Sequence, residues 1–157
     1  MTTQADFDAD EWQTVVAAPA IAGFIVSAAQ RGDRTREVTV MAQVYVEAAK
    51  AHPGFDLLGE VVARAPEDVP HDPSVRERPE VDGLERIRTA VALLEAKATP
   101  EEVDTYKRFA FDVAERVALA ARSGDVLGIG GELVSDAEHE ALERVAEALG
   151  LPPDAAA

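Results

Sequence analysis

The eighteen residues from Gln13 to Gln30, QTVVAAPAIAGFIVSAAQ, carry no charge in a chain of which 29% is charged. Water is a poor solvent for such a run, so either a bilayer or the rest of the polypeptide must cover it. A bilayer is the weaker fit, because the run is alanine-rich, broken by Pro19 and Gly23, and slightly short for about 30 Å of hydrocarbon. A secretory signal also fits poorly: Asp6, Asp8, Asp10 and Glu11 place negative charge where a signal peptide carries positive charge. The run therefore reads as a buried core helix with no membrane insertion, and the remaining segments must enclose it.

Those segments are helical by pattern. Asp8 followed by Glu11 marks a helix start, and the first helix spans about 9 to 30, with Pro19 either kinking it or opening a second one. Trp12 reads as a core or staple residue near that start. From Thr35 to Ala51 the spacing places Val38, Met41, Val44, Tyr45 and Ala48 on one stripe, which only a helix can bury. A short helix over Phe55 to Arg64 precedes a proline-rich connection at 65–81. Leu84, Ile87, Val91, Leu94 and Ala98 then predict a helix over 82–98.

Thr99, Pro100 and Glu102 form a complete start signal for a helix to Arg122, with Val103, Tyr106, Ala110, Val113, Val117 and Ala120 inward. Ser135 and Glu138 form a second capping box, opening a helix that buries Ala141, Leu142, Val145, Ala148 and Leu149 and stops at Gly150. No stretch alternates with period two for long enough to require a strand. The expected class is all-α, a single domain over 1–157 built as a bundle of six to seven helices and closing in a frayed tail at 151–157.

A chain of 157 residues can bury one core without disulfides, and the absence of cysteine removes thiolate metal sites and cysteine nucleophiles and fits a reducing cytoplasm. Thirty acids against fifteen bases give a formal charge of −15, which repels phosphate backbones and anionic lipid, so nucleic acid is excluded as the main partner. Only Lys50, Lys97 and Lys107 are lysines; the arginine-rich, acid-rich balance suits a concentrated-salt cytoplasm or a high-GC genome equally well.

The segment SGDVLGIGGELVSD, residues 123–136, holds four glycines and three acids. It matches neither phosphate-binding glycine pattern, follows a helix and contains no lysine, so a phosphate cradle is a poor reading. A divalent cation suits it better: hard cations take carboxylate and carbonyl oxygens from flexible loops, and Asp125, Glu132, Asp136 and Glu138 are the nearest donors. The same residues also have a simpler use. Ser135, Asp136 and Glu138 suit helix capping and the helix dipole, and Asp125 after Gly124 suits a turn.

Other chemistry finds little support. His52 and His71 adjoin prolines, and His139 sits among acids; Asp136 with His139 supplies one acid–histidine pair of a di-iron bundle, and no second pair exists. Ser27, Ser74, Ser123 and Ser135 lack a nucleophile elbow. An internal echo is present: VSAAQRGD at 26–33 and ALAARSGD at 118–125 match at four of eight positions and both close a helix with Gly-Asp, as two pseudo-repeated hairpins would.

A helix, an A-x-x-G-D turn at 121–125, a glycine-bearing loop and a capped last helix ending in EALGL together resemble the TerB-like family of tellurite-resistance proteins, over roughly 113–151 with a fainter echo at 20–51. The resemblance implies a cytosolic helical bundle of pseudo-twofold hairpins, a stress-response role, and an acidic surface holding divalent cations. Here the family's acid-glycine order is reversed to Gly124-Asp125, and an expanded loop separates it from Ser135. The leading expectation is a non-enzymatic helical module acting through a protein partner or as a homo-oligomer, with no cofactor beyond a weakly held divalent cation. The alternatives are a hydrolase with a carboxylate pair in an inter-hairpin cleft, and a ligand-free structural domain of a salt-adapted proteome.

Overall fold

A computed structural model of the chain describes residues 1–29, 34–53, 56–64, 73–122 and 135–156. Among these, seven α-helices follow one another with no strand: α1 (Ala9–Ala29), α2 (Arg34–Ala51), α3 (Leu57–Arg64), α4 (Pro73–Glu77), α5 (Leu84–Lys97), α6 (Pro100–Arg122) and α7 (Asp136–Leu149). The fold is the all-α bundle expected from the helical periodicity.

The uncharged run is its axis. α1 packs against α2, α3, α5, α6 and α7, and its Val15, Ala18, Ala22, Ile25 and Val26 are almost wholly removed from water. By length and composition α1 meets the minimum for crossing a membrane, yet 67% of its most apolar window is buried inside this bundle. Asp8 and Glu11 cap its start reciprocally, each side chain accepting the other's backbone N–H at 2.9 Å. Phe7 stacks on Trp12 at 5.6 Å between ring centroids, the staple that fixes the entry of the chain. Lys97 at the end of α5 closes over this corner, bonding Glu11 at 2.5 Å and lying 5.2 Å from the centre of the Phe7 ring.

Pro19 neither ends α1 nor divides it. A proline inside a helix leaves the carbonyl four residues earlier without its donor. That carbonyl belongs to Val15, and the buried hydroxyl of Tyr106 on α6 donates to it at 2.6 Å. Close approach of the two helices makes this contact reachable. A Cβ added at Gly23 on α1 would lie 3.1 Å from Val113 and 3.3 Å from Val117 of α6.

α2 departs from expectation in one respect. Met41, Val44 and Tyr45 are buried as the stripe requires, but Val38 is 65% exposed and Glu37 takes the inward register. Positions 37, 41, 44 and 48 centre the buried arc at 3.6 residues per turn, which leaves Val38 on its edge, Ala49 and Ala42 just beyond it, and Val46 on the opposite side of the helix. The proline-rich connection also holds more structure than its composition implies. Val75 of α4 is fully buried, and a π-helical turn at Pro79–Gly83 leads directly into α5, with Gly83 close against Ile21 and Ile25. At the far end Gly150 closes α7 in the left-handed conformation, with the Leu151 N–H bonded to the Ala146 carbonyl at 2.9 Å. Beyond it, Pro153–Ala156 forms a 3-10 turn whose Ala155 packs on the core.

Candidate functional site

Of the four acids expected to hold a cation, Asp125 and Glu132 lie outside the described residues. Asp136 and Glu138 sit in the first turn of α7, where Asp136 points to solvent and Glu138 is buried. The Glu138 carboxylate accepts the Ser135 N–H at 2.6 Å while the Ser135 hydroxyl accepts the Glu138 N–H at 3.3 Å, the reciprocal box that SDAE predicts. The capping use of this pair is therefore realised. Among the described residues no three His, Asp or Glu side chains converge as a metal would require.

A second buried acid was not expected. Glu37 accepts a hydrogen bond from the Ser27 hydroxyl through one oxygen, and its other oxygen is buried without a hydrogen-bond partner. It tethers the first turn of α2 to the last turns of α1.

The polar groups that do converge lie between two helix hairpins, where the end of α2 and the start of α3 face the start of α6. They form a groove of about 440 Å³ lined by His52, Asp56, Leu57, Leu58, Glu101 and Glu102, with Met1, Thr99 and Thr105 at its sides. The elements explain the placement. Asp56 caps α3, accepting the Gly59 N–H at 2.7 Å, and its second oxygen meets His52 Nδ1 at 3.1 Å. An imidazole nitrogen facing a carboxylate carries the proton, so in the neutral ring of His52 it is Nε2 that offers a lone pair.

On the opposite wall Glu102 completes the capping box of α6, taking the Thr99 N–H at 2.9 Å and hydroxyl at 3.0 Å. It also anchors the N-terminal segment through the Thr2 N–H and hydroxyl, both at 2.8 Å. Burial pushes the Glu102 carboxyl upward, but the Thr99 and Thr2 N–H groups and hydroxyls outweigh it and hold the pKa at about 2. Glu102 is ionised at neutral pH, which suits electrostatic attraction more than proton transfer. A raised carboxyl occurs elsewhere: desolvation and neighbouring Asp112 lift Glu115, on the exposed side of α6.

The groove continues past His52 into a shallower one of about 340 Å³ between α2 and α6, bordered by Glu47, Leu58, Arg108, Phe109 and Asp112. Sequence reasoning set His52 aside because it adjoins a proline. The available signal was the His–x–x–x–Asp spacing that joins the end of one helix to the cap of the next.

The other surface feature is apolar. Val46 is 53% exposed and lies eight residues beyond Val38 and further round the outward flank of α2, with Ala42 and Ala49 between them. Comparison with protein-family models, with curated proteins and with solved structures finds no match to this chain.

Proposed function

We propose that this chain is a non-enzymatic helical module that works by protein contacts, and that its contact face is the outward flank of α2. One observation carries the reading: Val38 and Val46 stand exposed on a helix whose other flank is core, so the apolar arc of α2 is wider than the bundle uses. No acid lies among Val38, Ala42, Val46 and Ala49, whereas the chain as a whole carries −15. A helix with an apolar stripe and a basic rim fits both facts, since the global field steers it in and the stripe seats it. The TerB-like resemblance adds the expectation of a cytosolic stress-response role and of a weakly held divalent cation.

The test places a photo-crosslinking residue at Val46 and, separately, at Glu85 on the exposed side of α5. The expected result is an adduct from the Val46 position alone, to a basic chain, that fades as salt is raised and is lost when Val38→Glu is added. An adduct of twice the chain mass would assign the flank to a second copy. Equal adducts from both positions, or none, would remove the reading.

A further inference from the structure

We draw no further inference here: the strongest candidate, the buried Glu37 carboxylate held by Ser27 between the last turns of α1 and the first turn of α2, has one oxygen without a hydrogen-bond partner, but neither groove described above reaches it and nothing among the described residues shows what would pair with it.

Discussion

The hydroxyl of Tyr106 occupies the hydrogen-bonding position at Val15 that Pro19 leaves vacant, at 2.6 Å and with no exposure to water. Removing it strands a buried carbonyl, which costs about 1–3 kcal/mol. Urea unfolding of Tyr106→Phe therefore shows a lower midpoint at unchanged slope. Pro19→Ala restores an N–H to α1, so the Tyr106→Phe penalty shrinks in that background, and a double-mutant cycle reads the difference. Tyr45 provides the contrast. Burial drives its hydroxyl well above the ordinary range, and that hydroxyl has no hydrogen-bond partner. Tyr45→Phe keeps the edge-on packing against Phe109 and leaves stability unchanged or higher.

Gly23 and Gly150 are required for different reasons, and substitution separates them. Gly23→Val forces side-chain atoms into the seam where even a Cβ lies 2.7 Å from the Met41 methyl and 3.1 Å from Val113, and overpacking of this kind costs about 1–3 kcal/mol. At Gly150 the nearest atom is 3.5 Å away, but φ is +68°. Gly150→Ala costs about 1–2 kcal/mol through backbone conformation alone. Thermal melts of the two variants measure both.

The acid limb of the stability curve carries the signature of Glu102. Its folded pKa of about 2 lies below its unfolded value, so its contribution is complete above the unfolded pKa and fades as pH falls from about 4.5 towards 2. Glu11, held below the usual range by Lys97 and then by the Asp8 N–H, adds to the same limb. Glu102→Gln is less stable at neutral pH and shows a shallower decline over that window when unfolding is followed against pH.

Cation binding at the acids 125, 132, 136 and 138 has its own readout. A thermal melt with calcium, magnesium or zinc at millimolar concentration against chelator raises the midpoint if the folded chain holds the ion. Equal midpoints with every ion would show that the folded chain holds none of them. Ser135→Ala lowers the midpoint with or without metal, because the cap of α7 needs no ion, and costs about 1 kcal/mol.

Local chemistry made most of the fold legible. Asp8–Glu11, Thr99–Glu102 and Ser135–Glu138 each announced a helix start that the structure realises, because a capping box depends on residues three apart and on little else. Val38 was misplaced because periodicity reports the width of an apolar arc and not how much of it a neighbour covers. The inward turn of Glu37 was hidden for a related reason: its partner Ser27 belongs to another helix. The groove was less legible still. His52 and Asp56 are near in sequence, but Glu101 and Glu102 reach them only after α3, α4 and α5 have folded between.

The sharpest test of the outward α2 flank uses the absence of native cysteine, which makes single-cysteine variants direct reporters. Val46→Cys and Val44→Cys differ by two residues on one helix, and the native side chains are 53% and 2% exposed. The account predicts that a thiol reagent labels position 46 at the rate of a free thiol and position 44 only as fast as the protein opens, and that a bound basic partner protects position 46. Equal labelling at the two positions, or protection of position 46 in the isolated chain, would contradict it.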